Sequence, residues 1–471
     1  MQQTVHEAPD AQSFIARYRE EQPDDVLVLD AAVSADQEIT AVAAALERQG
    51  RRPLLLFPRV HGLAGPAVPV ATNLFGSRER IARWFAVPAA QLHEAYQARA
   101  RRACAPREVP SGLVTEVVHD RGIDLARLVP MLRHFDSDRA PYVTNAVIVA
   151  EHPDTGAGNM SYHRSMLHAP DALATSLHSR GDLWRLLQLA AGRGRPLPVA
   201  MVIGMHPLVM LAASARLPFG ADEREVAGGL LGAPLEVVRT PRHGIRVPAA
   251  AEFVLEGVID PAARADEGPF GEFTGYSSNR STNNLFQVHT VLQRARPMLV
   301  DVLGGNAPEH LNLARIPRES EMVEKIKARF PSVTALHYPS SGTHFHAYVA
   351  LKAMRDGEPR QVMLGLLGWD PYLKTVIAVD ADVDVTRDEQ VLWALATHFQ
   401  PHRDLLVIDG LPGSALDPSA SGAGTTSRMG LDATRGSGFD GVLAKLSPAA
   451  LARAGELLAA AATAGSGSAQ R

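Results

Sequence analysis

Residues 251–260 read AEFVLEGVID, one of seven short β-rich runs between residues 112 and 305. Gly, Pro and Asn residues interrupt the chain between these runs, which is typical of strands joined by turns. The other six runs are TEVVHD (115–120), AVIVAEH (146–152), PVAMVIG (198–204), LEVVRT (235–240), FQVHTVLQR (286–294) and MLVDVLG (298–304). Their spacing favours an antiparallel barrel or sandwich in which only short helices are inserted, at 182–191 and 207–215.

The regions on either side of these runs alternate between strands and helices. The strands predicted from their apolar runs are 25–29 (DVLVL), 53–57 (PLLLF), 345–351, 375–379 and 404–408. The predicted helices are 38–48, 77–85, 89–101, 318–330, 359–367, 388–399 and 447–462. The last three strands and their helices indicate a parallel-type α/β unit. The sequence therefore predicts a mixed α/β and β fold.

Composition and charge exclude several classes of protein. With 471 residues, of which 46% are hydrophobic and 21% charged, the chain is long enough for two or three globular domains. Lys+Arg of 47 against Asp+Glu of 51 gives a net charge of −4, so no electrostatic footprint of nucleic-acid binding is present. The single cysteine, Cys104, excludes an internal disulfide framework and fits a reducing cytoplasm.

Two segments bear on export and on membrane insertion. Residues 1–10 are polar and carry His6 and Glu7 rather than a basic start, so no signal peptide is expected. Residues 197–215 are the most apolar stretch, but His206 and Pro207 interrupt it. We therefore expect a buried strand, turn and helix there rather than a membrane span, and a cytoplasmic protein overall.

Residues 266–275, DEGPFGEFTG, are the strongest candidate for chemistry. Glu267 and Glu272 lie five residues apart in a Gly/Pro-rich segment, which predicts a sharp loop. Two nearby carboxylates do not both ionise freely, and the one with the raised pKa can act as a general acid. A hairpin loop with solvated glutamates is the structural alternative. The interleaved aromatics Phe270, Phe273 and Tyr276 argue against full exposure and slightly favour the functional interpretation.

Two further polar clusters precede this loop. Residues 159–164, NMSYHR, offer the amide oxygen of Asn159 and the guanidinium of Arg164. Residues 218–225, PFGADERE, place Glu223 where a helix is expected to begin. Each has an ordinary structural explanation, namely surface polarity for the first and an acidic first turn for the second. These residues also have a functional explanation, because the carboxylate of Glu223 and the amide oxygen of Asn159 are suitable ligands for a hard divalent cation.

Taken in this order and spacing, the clusters resemble the UbiD family of reversible decarboxylases, from about residue 144 to residue 434. The segments that carry the resemblance are N-x-x-x-x-R (159–164), the acidic turn at Glu223, LEVV followed by VPAAAEFVLEG (247–257), EGPFGE (267–272), YLKTVIAVDADV (372–383) and RMGLDAT (428–434). Each is weak alone, and together and collinear they are specific.

The resemblance implies a domain order and a set of cofactors. The expected parts are an N-terminal α/β domain (1–111), a central split β-barrel that binds flavin (112–305), a connecting helix (306–330) and a C-terminal α/β dimerisation domain (331–471). The implied cofactor is prenylated FMN, held through its phosphate by a divalent metal, Mn2+ or Mg2+, and by K+.

The resemblance also implies roles for individual residues. Asn159 and Glu223 match metal ligands of the family, and Arg164, Glu267 and Glu272 match its catalytic Arg-Glu-Glu set. Lys374 falls where the family places a lysine on the cofactor phosphate. The implied cofactor-binding residues are Asn159, Ser161, Tyr162, His163, Arg164, His178, Glu223 and Lys374.

The third metal ligand has two candidates. We expect His178, because imidazole is a usual ligand of transition metals. A gap-free alignment with other branches of the family places Asp182 there instead, although a role as helix N-cap would fully explain Asp182. His163 and His168 either line the substrate pocket or are simply packed.

The expected reaction is non-oxidative, reversible decarboxylation of an aromatic, heteroaromatic or α,β-unsaturated carboxylic acid. Loss of CO2 from an sp2 carbon leaves a carbanion too unstable to form unaided, so the resemblance implies a covalent adduct with the modified flavin as electron sink. Arg164 is expected to bind the carboxylate and to keep Glu267 ionised, while Glu272 protonates the carbon.

The substrate and the partners are less constrained. Glu309-His310 and residues 316–319 (IPRE) are similar to segments in branches that act on five-membered heteroaromatic acids, and we favour an aromatic or heteroaromatic acid over a linear acrylate. Helix capping and an exposed arginine explain these residues at least as well. Alternative functions are an FMN-dependent oxidoreductase on the same barrel and a non-catalytic flavin-binding partner. Expected partners are the acid and CO2, a flavin prenyltransferase as cofactor supplier, and a second copy of the chain.

Overall fold

The computed structural model describes residues 10–65, 67–178, 181–352, 355–420, 424–436 and 438–466, with side chains up to residue 459. The opening segment on which the expectation about a signal peptide rests lies outside these residues, apart from Asp10.

The N-terminal region is an α/β layer built largely as the alternation predicts. Its helices are α1 (Ala11–Glu21), α2 (Glu38–Arg48), α3 (Arg78–Trp84) and α4 (Leu92–Ala100), and its strands are β1 (Val26–Val28), β2 (Val33–Ser34), β3 (Leu54–Phe57), β4 (Val60–His61), β5 (Val70–Thr72) and β6 (Arg107–Glu108). β3 lies between β1 and β5 in the main sheet. Leu54, Leu55 and Phe57 are fully buried, as expected for a strand covered on both faces.

The central region is dominated by strands. They are β7 (Val117–His119), β8 (Tyr142–Val143), β9 (Val147–Glu151), β10 (Gly158–Tyr162), β11 (Ser165–Ala169), β12 (Ala172–Thr175), β13 (Leu197–Ile203), β14 (Glu236–Arg239), β15 (Arg246–Pro248), β16 (Phe253–Arg264), β17 (Phe270–Gly271), β18 (Ser277–Ser278), β19 (Asn284–Gln293) and β20 (Leu299–Val300). The helices between them are α5 (Leu125–Leu128), α6 (Asp182–Gly192), α7 (Pro207–Ala212) and α8 (Glu223–Leu231).

Nine of these strands form one antiparallel sheet. Its order is β10-β9-β13-β16-β19-β12-β11-β8, and β7 also pairs with β19. Consecutive strands β10 and β11 lie near opposite ends of this order, yet only two residues join them. Since three peptide steps span at most about 11 Å, the two ends of the sheet must curl towards each other. The ladder does not close within the described residues, so the sheet is curled and open.

Side chains of α8 occupy the free edge at β10. The backbone N–H of Gly158 donates to Oδ2 of Asp222 at 3.0 Å, and the N–H of Met160 donates to Oε2 of Glu223 at 2.8 Å. Residues two apart on an edge strand point their N–H groups in the same direction, outward from the sheet. Because two carboxylates satisfy these groups, a further strand is not needed to complete the edge.

Two of the seven β-rich runs lie outside this sheet. Residues of LEVVRT form β14, which belongs to a separate three-stranded sheet with β15 and β6. β20 pairs in parallel with β5 and so completes the N-terminal sheet. Apolar content predicted both strands correctly, but their pairing depends on contacts distant in sequence. One hydrophobic cluster contains residues of both the N-terminal and the central regions, among them Phe14, Leu54 and Val147.

The C-terminal region returns to helices over a sheet. Its elements are α9 (Pro308–Arg329), β21 (Val333–His337), β22 (His346–Leu351), α10 (Glu358–Trp369), β23 (Thr375–Asp380), α11 (Asp388–His398), α12 (Pro401–Asp404), β24 (Leu405–Pro412), β25 (Thr425–Asp432) and α13 (Pro448–Ser466). The sheet order is β21-β22-β23-β25-β24.

Two expectations for this region were wrong in detail. β24 is an antiparallel edge strand, whereas three parallel strands were expected; the parallel partner of β23 is β25. β25 was missed because Arg428 points inward, is 3% exposed and donates to the carbonyl of Asp370 at 3.0 Å. α9 begins ten residues before the start at 318 that the apolar pattern predicts, since the helix continues through Pro317, and its bounds lie close to the connecting helix at 306–330 that the resemblance implies.

The apolar stretch 197–215 folds as the sequence predicts, into β13, a turn and α7. Among the described residues, no helix combines the length and the apolar character that crossing a bilayer requires.

Candidate active site

Arg164, Glu267 and Glu272 converge in one cluster. Nε of Arg164 lies 2.9 Å from Oε1 of Glu267 and Nη2 lies 2.9 Å from Oε2, so the guanidinium donates to both oxygens of that carboxylate. Nη1 of Arg164 contacts Oε1 of Glu272. Both glutamates are 4% exposed. A bidentate, charge-assisted pair fixes orientation as well as charge, so the cluster is rigid and contains two carboxylates around one cation.

Chain reversals position these three side chains. Arg164 lies in the two-residue link between β10 and β11, at the opening of the curled sheet. Glu267 follows the end of β16, and Glu272 follows β17 in the hairpin that β17 forms with β18. The turn is closed by a hydrogen bond of 2.9 Å from the N–H of Gly275 to the carbonyl of Glu272. Gly275 has φ of +81°, a conformation that favours glycine. The Gly/Pro-rich segment therefore forms the sharp loop that was predicted.

Tyr142, which sequence reasoning missed, completes the cluster. Its hydroxyl donates to Oε1 of Glu267 at 2.8 Å, and its ring lies 4.7 Å from that of Phe270. The pKa of Tyr142 is raised well above its usual value, first by burial and then by the charge of Glu267, so the phenol stays protonated and can donate. The guanidinium of Arg164 lies 4.9 Å from the centre of the Phe270 ring. The only sequence signal for Tyr142 was its place in a segment of β-type composition (141–144).

Asn159 and Glu223 meet in a second buried cluster, at the β10 edge. Nδ2 of Asn159 lies 3.4 Å from Oε1 of Glu223. The pKa of Glu223 is raised to about 8, first because the carboxyl is buried, and also because Asp222 and Asp182 place negative charge nearby. The hydrogen bond from Met160 opposes this rise. A buried carboxyl that lacks positive charge is a position that a cation would stabilise.

A buried arginine supports this second cluster. Arg224 is fully buried and pairs with Asp222 at 2.6 Å and with Glu151 at 2.8 Å. A Cβ at Gly158 would lie 2.2 Å from Nη2 of Arg224, so the close approach of β10 to α8 requires glycine there. Sequence reasoning did not single out Arg224.

The residues between Asn159 and Arg164 link the two clusters. Oγ of Ser161 lies 3.1 Å from Oδ1 of Asn159 and 2.9 Å from Nε2 of His163, and Nδ1 of His163 lies 3.2 Å from the carbonyl of Ser176. Burial lowers the pKa of His163 to about 4, so the ring is neutral at physiological pH. The hydroxyl proton of Ser161 can be donated either to Oδ1 of Asn159 or to Nε2 of His163, but not to both at once. Oδ1 of Asn159 therefore keeps a lone pair that can bind a cation. The hydroxyl of Tyr162 donates to the carbonyl of Met210 at 3.1 Å.

Comparison with known proteins now identifies the family. Three models of 3-octaprenyl-4-hydroxybenzoate carboxy-lyase match consecutive parts of the chain: the N-terminal domain at 18–100, the Rift-related domain at 107–307 and the C-terminal domain at 311–433. The chain belongs to the UbiD family. It is therefore an enzyme of the UbiD decarboxylase type, a carboxy-lyase.

Curated relatives of this UbiD chain include anhydromevalonate phosphate decarboxylases. The protein of Methanothermobacter thermautotrophicus is 33% identical over 87% of this chain and 94% of its own length. That of Aeropyrum pernix is 32% identical over 87% of this chain and 90% of its own length.

Solved structures agree with this membership. HmfF from Pelotomaculum thermopropionicum, a UbiD-class enzyme in complex with FMN, is 33% identical with a TM-score of 0.86, covering 93% of this chain and 97% of its own. An evolved dimeric form of HmfF in complex with prFMN is 31% identical with a TM-score of 0.82, covering 93% of this chain and 99% of its own. The mixed α/β fold of this chain is that of UbiD-class enzymes.

In this UbiD chain neither candidate for the third metal ligand contacts Asn159 or Glu223 through a described hydrogen bond or ion pair. His178 is exposed, and its Nε2 lies 3.2 Å from the hydroxyl of Tyr372. Asp182 is the first residue of α6, and the N-cap is Gly181, so the expected capping role for Asp182 was wrong. Within the described residues, no group of three or more His, Cys, Asp or Glu is placed to bind a metal.

Lys374 has polar partners of its own, and His168 lies on the surface. Nζ of Lys374 lies 2.7 Å from Oδ2 of Asp417 and 2.7 Å from Oγ of Ser419, in the C-terminal region. His168 is exposed, beside Arg139 and Arg264, so it is not a packed core histidine.

Most of the segment 309–319 is buried. The buried Arg318 contradicts the alternative of an exposed arginine, whereas Glu309 does lie in the first turn of α9, as the capping alternative expects. Glu309 is fully buried and accepts hydrogen bonds from the N–H groups of Asn73 and Leu303, each at 2.9 Å. Arg318 is 3% exposed, and its Nε lies 2.9 Å from Oδ2 of Asp370. Burial lowers the pKa of His310, and the charge of Arg164 lowers it further, which places His310 near the catalytic candidates.

Aromatic contacts connect the loop that carries Glu272 to the C-terminal region. The ring of Phe273, next to Glu272, lies 4.7 Å from that of His344 and 5.5 Å from that of Phe345. The guanidinium of Arg318 lies 5.1 Å from the centre of the Tyr372 ring. The C-terminal side of the Glu272 loop is therefore covered by aromatic side chains.

Proposed function

We propose that this chain catalyses non-oxidative, reversible decarboxylation of an α,β-unsaturated, aromatic or heteroaromatic carboxylic acid, assisted by Arg164, Glu267 and Glu272. The observation that supports it is the single guanidinium that binds both oxygens of Glu267 and also contacts Glu272. The relatives support acids of different kinds, because they include both anhydromevalonate phosphate decarboxylases and a 3,4-dihydroxybenzoic acid decarboxylase from Klebsiella pneumoniae. The substrate class therefore includes acids that are not aromatic.

Three roles follow from the geometry of the cluster. Glu267, held by Arg164 and Tyr142, keeps the guanidinium oriented. Of the Arg164 nitrogens, Nη1 is the one that contacts Glu272, so protonation of Glu272 removes the charge-assisted contact and frees that nitrogen to bind the substrate carboxylate. The same protonation prepares Glu272 to deliver its proton to the carbon that loses CO2, as a general acid.

The curled sheet would serve as a split barrel that binds the cofactor. HmfF binds FMN and, in an evolved form, prFMN, and we propose prenylated FMN for this chain. When bound, the modified flavin supplies, through a covalent bond to the substrate, the electron sink that an sp2 carbon needs. Lys374 would pair with its phosphate in place of Asp417, and Ser161, Tyr162 and His163 would line its position.

We propose that Mn2+ or Mg2+, together with K+, neutralises the phosphate next to Asn159 and Glu223. The raised pKa of Glu223 and the unused lone-pair capacity of Asn159 support a cation at this point. His178 is proposed as the third ligand and Asp182 as the alternative. Metal content of His178→Ala and of Asp182→Ala, measured side by side on purified holoenzyme, distinguishes them, because only removal of the true ligand lowers it.

The decisive experiment is a screen of unsaturated, aromatic and heteroaromatic acids with protein co-expressed with a flavin prenyltransferase, scored by CO2 release and by H/D exchange at the product carbon. A prenylated-FMN decarboxylase shows both, and only when the prenyltransferase is present. Activity with unmodified FMN and a hydride donor would instead indicate an oxidoreductase on the same sheet. Bound flavin with neither activity would indicate a non-catalytic partner.

We also propose a homodimer or larger homo-oligomer formed through the C-terminal region. Large apolar side chains are exposed there, including Trp393, Val407 and Phe439, and the structures similar to this chain include a dimeric form.

A further inference from the structure

A cavity of about 290 Å3 lies between α2 and the loop that carries Glu272. One wall is the face of α2 formed by Thr40, Ala43 and Ala44, residues at helical spacings of three and four. The opposite wall includes Glu272 and Gly275. A water occupies about 30 Å3 of the liquid, so the cavity has room for several.

The cavity extends from exposed side chains on α2 to the buried residue Glu272. Glu47, Arg51 and Arg52 line its outer part, and the side chains of Glu47 and Arg52 are 38% and 44% exposed. Glu272, at its inner part, is 4% exposed. Most of the cavity lining is apolar, but Asn73, Ser137, Ser277 and Asn306 also line it and offer the hydrogen-bonding groups that ordered water needs.

Away from the cavity, Glu272 and the neighbouring Phe273 contact other side chains. Arg164 contacts its carboxylate, and Phe273 packs on His344 and Phe345. On the cavity side, the ring of Phe135 packs against a glycine-lined backbone: a Cβ would lie 2.3 Å from this ring at Gly271 and 2.6 Å from it at Gly305. The two glycines thus make room for the Phe135 ring, which forms part of the cavity wall.

We propose that this cavity is the route by which protons from solvent reach Glu272. The inference rests on the proposed function, in which Glu272 is the proton donor. Each turnover converts a carboxylate and one proton into CO2 and a protonated carbon, so Glu272 ends as a carboxylate and must regain one proton. Water in the cavity carries that proton from solvent. The reverse direction returns the proton by the same path.

The test blocks the cavity from α2. Ala44→Phe places a ring on the cavity face, and Ala41→Phe, three positions earlier on an exposed part of the same helix, is the matched control. Ser137→Phe blocks the cavity from the opposite side and serves if Ala44→Phe does not fold. None of the three substituted positions belongs to the catalytic cluster.

The first readout is the isotope in the first-turnover product. Enzyme equilibrated in H2O is mixed rapidly with substrate in D2O and quenched after one turnover. Wild type and Ala41→Phe should give mostly deuterated product, because Glu272 exchanges with solvent before reacting. Ala44→Phe should retain mostly protium and show a several-fold lower kcat with KM unchanged. Equal deuteration in Ala44→Phe and Ala41→Phe, or a KM increase alone, overturns the route.

A second readout is independent of turnover. In flavin-loaded protein carrying Glu272→Cys and Cys104→Ser, a small alkylating reagent should label position 272, as measured by intact mass. Ala44→Phe should slow labelling several-fold and Ala41→Phe should not. Equal rates overturn the inference. If no acid is decarboxylated at all, the proposed function fails, and the labelling rates still decide whether the cavity reaches position 272.

Discussion

The hydroxyl of Tyr142 donates to Oε1 of Glu267 at 2.8 Å, the same oxygen that accepts from Nε of Arg164 at 2.9 Å. Two donors, one from β8 and one from the link between β10 and β11, therefore fix one carboxylate oxygen. The sheet determines the positions of the groups that hold Glu267, and Glu267 in turn fixes the orientation of the Arg164 guanidinium.

Tyr142→Phe should therefore weaken the cluster without removing it. A hydrogen bond to a charged group is worth about 1.5–3 kcal/mol, so kcat should fall by roughly 10- to 100-fold while flavin content is retained. Steady-state kinetics and flavin absorbance measure both. Tyr276→Phe is the matched control, because Tyr276 lies on the same loop and is 65% exposed. An unchanged kcat in Tyr142→Phe would remove Tyr142 from the cluster's function.

Glu272→Gln should retain cofactor and lose turnover. The amide preserves shape but has no acidic proton, and general acid help of this type is worth roughly 10²–10⁴ in rate. Glu389→Gln, at an exposed position of α11, is the control. CO2 release at saturating substrate is the measurement, and wild-type turnover in Glu272→Gln would exclude it as the acid.

Glu223→Ala and Asn159→Ala should each release metal and cofactor together. Both side chains belong to the buried pair at the β10 edge, and loss of either oxygen weakens the cation site that holds the phosphate. Elemental analysis and flavin absorbance of the purified proteins check this. Glu225→Ala changes an exposed glutamate in the same helical turn and should retain both. Spectrally normal flavin in the first two variants would show that the metal assignment is wrong.

Asp301→Asn should change how stability depends on pH. Burial raises the pKa of Asp301 to about 7, above the ordinary value of 3.8 that applies to the unfolded chain. The contribution of Asp301 to stability is therefore fully present below about pH 4 and is lost as the pH rises to about 7. Asparagine does not titrate, so the variant should gain free energy of unfolding relative to wild type between these pH values, by about 1.4 kcal/mol for each pKa unit.

Urea unfolding of both proteins at pH 5 and at pH 8 measures this difference. The pKa of the nearby Glu309 is raised to about 7, first by burial and also by the charge of Asp301. Asp301→Asn removes this second cause, so the altered titration of Glu309 adds to the expected gain at pH 8. Asp356→Asn, at an exposed position, should show no such gain. A pH-independent difference between Asp301→Asn and wild type would contradict the prediction.

The sequence by itself determined the type and approximate bounds of most elements and the identity of the catalytic candidates. Apolar runs such as 253–259 and 197–203 predict strands because their side chains must be buried whichever partner they find. Gly275 and the residues around it predict a sharp loop because the backbone conformation there is a local property.

Only the tertiary structure decided which of these parts meet. β20 joins the N-terminal sheet, β24 runs antiparallel, and Tyr142 reaches Glu267 across 125 positions of sequence, because pairing and hydrogen bonding depend on distances that no local pattern encodes. The burial of Arg318 and Arg428 likewise follows from partners supplied by distant segments. From the sequence alone, charged side chains are predicted to be exposed. Only the folded structure shows the hydrogen-bond acceptors that make their burial possible.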